Sequence, residues 1–209
     1  MYDYFLKKQI QMKFGLCNKE VLYLQKISFM STGYNIVNQE ASYFVTFQIV
    51  NWIDLFTRKI YRDIVVDSLR YCQQNKGLDI FAFVVMSNHL HLLIRSQTGK
   101  LSNTIHDFKS FTAKQILLAI ETENESRREW MINLFEFAAK RHKRNERFQI
   151  WTHDNHAEEI YGNKFIEQKI NYIHDNPVRA GIVEKAEDYL YSSARYFAGL
   201  DCMLEIAAL

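Results

Sequence analysis

Residues 84–94 read Val-Val-Met-Ser-Asn-His-Leu-His-Leu-Leu-Ile, two histidines two apart inside a run that otherwise reads as a buried β-strand. Strand side chains alternate between faces, so His89 and His91 point one way and Leu90, Leu92 and Ile94 the other. The apolar side packs in a core. Two imidazoles side by side on a rigid strand are half of a divalent-metal site. A plainer reading stays open at this point, in which one or both are core histidines bonded to backbone. Ile80 to Met86 form a second short strand, and Ser87-Asn88 supply the turn or bulge between the two.

Further out, Tyr43 to Val50 are rich in β-branched and aromatic residues and read as a strand. Residues 58–75 follow a helical period, with Ile60, Ile64, Val65, Leu69 and Cys72 on one stripe and Gly77 as a stop. Ser102 can N-cap a helix running to about Ile120, with Ile105, Phe108, Ile116 and Leu117 facing inward. The stretch 121–147 is dense in charge and receives no element. A last helix starts near Asn163 and is expected to end by Asn176, because Pro177 disfavours helical geometry in the residue before it. The order strand, helix, two strands, helix implies an α+β domain, an antiparallel sheet with helices packed on it. Residues 1–29 lack a clean period, and Met30-Ser31-Thr32-Gly33 looks like a natural start. They are expected to be an N-terminal extension to a domain over 30–200, with 201–209 as a tail.

Composition limits function without naming it. A chain of 209 residues can bury one good core, and a net charge of +2 means that any affinity for nucleic acid must come from local patches. Cys17, Cys72 and Cys202 are odd in number and far apart. They support neither a zinc knuckle nor a disulfide framework and suit a reducing cytosol. No apolar run is long enough to span a membrane, and the first residues do not resemble a signal peptide.

The last helix carries the other half of a constellation. Tyr172 and Asn176 are four apart, so they lie on one face. A phenol can attack phosphorus and hold the product as a phosphotyrosine. A carboxamide oxygen is a hard ligand suited to Mg²⁺ or Mn²⁺. His89, His91 and Asn176 would give three ligands and leave room for water and phosphate oxygens. The plain alternative is a helical tyrosine and an asparagine that merely ends a helix.

Together, Phe83 to Ile94, the segment Tyr172-Ile173-His174-Asp175-Asn176-Pro177-Val178-Arg179-Ala180-Gly181 and the run Glu187 to Ala194 resemble the single-tyrosine HUH transposases. The branch they look most like is the one associated with repetitive extragenic palindromes. The resemblance spans roughly residues 31–199. It implies a palm-like, ferredoxin- or RRM-like antiparallel sheet with flanking helices and the tyrosine on a C-terminal helix. It implies His89 and His91 as metal ligands, Tyr172 as nucleophile and Asn176 as third ligand to Mg²⁺ or Mn²⁺. It further implies a single-stranded DNA endonuclease and strand transferase that cuts near hairpins through a 5′-phosphotyrosine. A homodimer in the bacterial cytoplasm, away from any membrane, goes with it. Many relatives carry Pro where this chain has Ser87, and Ser makes the same turn.

Candidate DNA contacts are Lys109 and Lys114 on the helix after the histidine strand, Arg179 after the tyrosine, and the cluster Lys140, Arg141, Lys143 and Arg144 with Arg147. A solvated helix face explains that cluster equally well. Lys169 could lower the phenol's pKa or hold phosphate, although a solvated lysine is the commoner case. Trp52, Trp130 and Trp151 could stack on unpaired bases, although large aromatics are more often core. Two other functions compete with the transferase: a non-catalytic, domesticated binder of palindromic single strands, and an unrelated His-x-His metal hydrolase. A histidine-triad hydrolase would want His where Leu93 stands.

Overall fold

Aromatic and β-branched side chains build the sheet. The structure, a computed structural model, describes residues 36–141 and 147–208. Tyr43–Gln48 is β1, Leu78–Val85 β2, His89–Ser96 β3 and Glu158–Glu159 a short β4. They pair antiparallel in the order β2-β3-β1-β4. β1 places Thr46 opposite His91 and Gln48 opposite His89, while β2 places Val84 opposite His91. Residues directly opposite one another share a face. Phe44, Thr46, Gln48 and Val84 therefore lie on the histidine side. The expected strands are all present, with a register shift in β2 between Ile80 and Ala82 that marks a bulge.

α1, Lys59–Lys76, ends where Gly77 takes a left-handed conformation with φ 62°. Its buried stripe is Tyr61, Val65, Val66, Leu69 and Cys72. Ile60 and Ile64, expected on that stripe, are only partly buried beside it. α2, Leu101–Thr122, begins one residue before Ser102, which is not its N-cap. Instead Gln39 reaches across, accepting from the Ser102 N–H at 2.8 Å and donating to Ser102 Oγ at 2.9 Å. An incoming carboxamide thus satisfies an orphan N–H that local sequence leaves open. α2 lies on the leucine face of the sheet, where Phe108 meets Phe47 with ring centroids 5.8 Å apart.

α3, Arg128–Lys140, occupies part of the charge-dense stretch and buries Met131, Phe135, Ala138 and Ala139. α4, Asn163–Arg179, lies on the histidine face and does not stop at Asn176. Pro177 sits in its last turn, where its ring costs only the one bond to the Ile173 carbonyl. The Ala180 and Ile182 N–H groups close the end on Asn176 and Pro177 carbonyls, at 3.0 and 2.9 Å. The pre-proline bias is a preference, and burial of Pro177 outweighs it here.

The segment after α4 covers the outer edge of β2. Val85 N–H donates to Tyr191 O and Ser193 N–H to Phe83 O, both at 2.9 Å, which blunts an exposed edge. Packing continues past residue 201: Leu204 is buried and Ala207 N–H donates to Ile80 O at 2.9 Å. The expected extension 1–29 lies outside the described residues.

Between β1 and α1, Val50–Ile53 form a type I′ turn with Asn51 at φ 55° and Trp52 at φ 56°. A left-handed backbone on these residues costs about 1–3 kcal/mol each, so the surroundings must hold it. Ile49 N–H donates to Asn88 O at 2.9 Å and Phe56 N–H to Ser87 O at 2.8 Å, and these bonds clamp the turn to the β2–β3 connection.

One buried carboxylate ties α1 to the start of α3. Glu125 accepts from Arg58 and from the Tyr61 hydroxyl, each at 2.9 Å, and from the Arg127 N–H at 3.0 Å. Burial alone would raise its pKa, but these donors and the Arg127 charge bring it down to about 2. A depressed folded-state pKa contributes stability that is complete above the unfolded value, near 4.5, and is lost as pH falls toward 2. Glu125→Ala is expected to cost about 2–4 kcal/mol at pH 7 by chemical denaturation. The difference from wild type should shrink below pH 4. A cost under about 0.5 kcal/mol at neutral pH would contradict this account.

Candidate active site

The site is built where α4 crosses the histidine face of the central strand. His91 is its hub, buried to 5% exposure. Its ring lies 4.7 Å from that of His89 and 5.3 Å from that of Tyr172, centroid to centroid. Phe44 stacks on His91 at 5.4 Å and meets Tyr172 edge-on at 5.9 Å. Phenol and imidazole pair thus come together within one chain, as the sequence pattern requires. Tyr172 keeps 40% of its surface exposed, so its ring is held from beneath and open above.

Each imidazole has one nitrogen already engaged. His89 Nδ1 lies 2.7 Å from Asn88 Oδ1, and His91 Nδ1 lies 2.8 Å from Thr46 Oγ1. An oxygen held at Nδ1 fixes the orientation of each ring. Burial lowers the pKa of His89. Burial, and then the charges of His89, Lys169, Arg179 and His156, push His91 down to about 3. Both rings are therefore neutral at pH 7, as metal ligation demands. This donor set fits a divalent ion. Among the described residues no group of three His, Cys, Asp or Glu is placed to hold a metal ion. Asn176 stands one helical turn after Tyr172, and its Nδ2 donates to the Tyr172 carbonyl at 2.9 Å.

α4 carries Lys169, Tyr172, Asn176 and Arg179 at helical spacings of three, four and three, so they form one stripe. The Arg179 guanidinium lies 4.6 Å from the Tyr172 ring centroid. Lys169 is not the solvated lysine that its type suggests. Its Nζ sits 4.2 Å from the Phe44 ring centroid and donates to Glu158 at 2.7 Å. Two cations thus bracket the tyrosine along its helix.

The other expected DNA contacts part company. Lys109 turns inward, where Nζ donates to Thr152 O and Asn155 Oδ1, both at 2.7 Å. Burial lowers its pKa to about 8, so it serves as an internal tether and not as a surface cation. Lys114 and Lys140 are exposed, and Arg141 lies 5.9 Å from the Phe137 ring. None of the three touches the histidine pair. Lys143 and Arg144 lie outside the described residues, and Arg147 pairs with Glu136 at 3.7 Å. Trp151 is core, whereas Trp52 and Trp130 are exposed by 66% and 48%. The sequence reading missed Thr46 and Asn88. Thr46 had a signal, a polar residue on the inward alternation of an aromatic strand. Asn88 stands next to His89, but its residue type and place in the chain signal only a turn former.

The α+β domain is thus an antiparallel sheet with a histidine pair on an inner strand and a tyrosine-bearing helix across it. The model of the IS200-like transposase family matches residues 39–176. This chain belongs to that family of transposases. Its fold is similar to that of a REP-associated tyrosine transposase solved bound to a REP hairpin, at 19% identity and a TM-score of 0.53, over 85% of this chain and 92% of that one. No curated protein matches the chain. Among the described residues no helix is long and apolar enough to cross a membrane.

Proposed function

We propose that this transposase is a metal-dependent endonuclease and strand transferase for single-stranded DNA beside hairpins, with Tyr172 as its nucleophile. The observation that carries this reading is the contact of the Tyr172 ring with His91, 5.3 Å between centroids, on a face that also holds His89. The hairpin bound by the structurally similar transposase supports a hairpin partner here. His91 and Tyr172 meet within one chain, so a reactive set does not need a tyrosine from a second copy, although the family resemblance implies a homodimer.

The phenol oxygen of Tyr172 attacks the scissile phosphorus, its proton passes to solvent, and the bond from phosphorus to the 3′ oxygen breaks. That oxygen takes up a proton and leaves as a 3′ hydroxyl, while the 5′ phosphate stays on the tyrosine. A 3′ hydroxyl attacking the phosphotyrosine reverses the bond changes and joins strands. His89, His91 and Asn176 would hold Mg²⁺ or Mn²⁺, which supplies Lewis acidity at the phosphate oxygens. Arg179 and Lys169 lower the cost of phosphate charge beside the ring. Phe44 fixes the planes of both rings.

The test is a denaturing gel after mixing protein, divalent metal and an end-labelled hairpin oligonucleotide. The expected product is a protein–DNA adduct retaining the 3′ label, formed only with metal. Metal-dependent cleavage without an adduct would indicate a hydrolase, and binding without cleavage a domesticated binder. Either result overturns the proposal.

A further inference from the structure

Trp52 exposes 66% of its surface at the corner of the type I′ turn, next to the histidine strand. An indole on a left-handed backbone is an outlier for a bulky residue. The turn is tied to the active site through one carboxamide. Asn88 donates from Nδ2 to the Trp52 carbonyl at 3.4 Å, and its Oδ1 lies 2.7 Å from His89 Nδ1. The same turn is fastened to Ser87 and Asn88 by the backbone bonds of Ile49 and Phe56. The Trp52 backbone is thus bonded to the residue that orients His89.

We propose that Trp52 is a stacking platform for one unpaired base of the DNA strand that enters the histidine–tyrosine site. The occupant is a nucleobase because the site handles DNA, and a flat, exposed indole binds the face of any base without reading its edge. The strained turn keeps this ring at a fixed offset from His89, so one nucleotide at a set distance from the scissile phosphate is gripped. This inference rests on the reading of the site as acting on single strands.

The experiment uses the full chain and a hairpin oligonucleotide with a single-stranded extension, each extension nucleotide replaced in turn by an abasic one. Affinity is measured by fluorescence anisotropy in chelator, and adduct yield separately with metal. Trp52→Ala is expected to weaken binding by about tenfold, and Trp52→Phe by less than about threefold, with no drop in melting temperature. One abasic position should weaken the wild type by a similar factor and leave Trp52→Ala unchanged. Wild-type affinity in Trp52→Ala overturns the proposal. So does a loss that adds to every abasic position, or a loss accompanied by a change in oligomeric state, which would make Trp52 a contact between copies. Absence of an adduct in the wild type would refute the strand-transfer reading while leaving the affinity comparison readable.

Discussion

Tyr172→Phe is expected to yield no covalent protein–DNA adduct and to reduce strand cleavage by on the order of 10⁴-fold or more, since loss of a nucleophile removes the chemical step itself. The variant keeps the ring that touches His91, Phe44 and the Arg179 guanidinium, so the fold and the site's packing persist. Its affinity for hairpin DNA should stay within about threefold of wild type, because a single hydroxyl adds little to a binding energy dominated by phosphate contacts. Adduct yield on a denaturing gel and anisotropy on the same oligonucleotide check both halves. A wild-type adduct yield from the Phe variant would remove Tyr172 from the chemistry. A collapse in affinity would show that the hydroxyl binds and does not react.

His91→Ala should be nearly as severe. The imidazole is buried, neutral and directed by Thr46 Oγ1, and it lies between Phe44, His89 and Tyr172. Its removal takes away one metal donor and the surface against which the phenol rests. Cleavage is expected to fall on the order of 10³-fold and to respond no longer to added Mg²⁺ or Mn²⁺. Thr46→Val is the finer probe, since it keeps the volume and deletes only the oxygen that orients the ring. A 10–100-fold loss of metal affinity is expected there, read by titrating metal against cleavage rate. Metal-stimulated cleavage at the wild-type rate in His91→Ala would place the metal elsewhere.

Much of this was legible in the chain because the informative pattern is local. The period-two alternation through His89, Leu90, His91 and Leu92 assigns both the strand and its two faces, and the register in the structure follows it. The spacing of Tyr172 and Asn176 likewise fixes their shared helix face. What could not be read depends on partners distant in sequence. Gln39 caps α2 from 63 residues away, so the local sequence points to Ser102 for a role that another side chain fills. Lys109 looks like a surface cation until the loop at Thr152 and Asn155 closes over it. Pro177 marks a helix end at Asn176 by its own steric bias, yet tertiary burial carries α4 three residues further, to Arg179. α3 was hidden because its buried Met131, Phe135 and Ala138 alternate with exposed Trp130 and Phe137, which blurs the amphipathic signal.

The central claim is that the phenol oxygen of Tyr172 becomes bonded to a 5′ phosphate beside the paired imidazoles. Peptide mass spectrometry of the adduct, after nuclease trimming and proteolysis, tests it most directly. The account predicts a nucleotide phosphate on the peptide that contains Tyr172. A phosphate on any other residue, or efficient cleavage with no modified peptide, would contradict it.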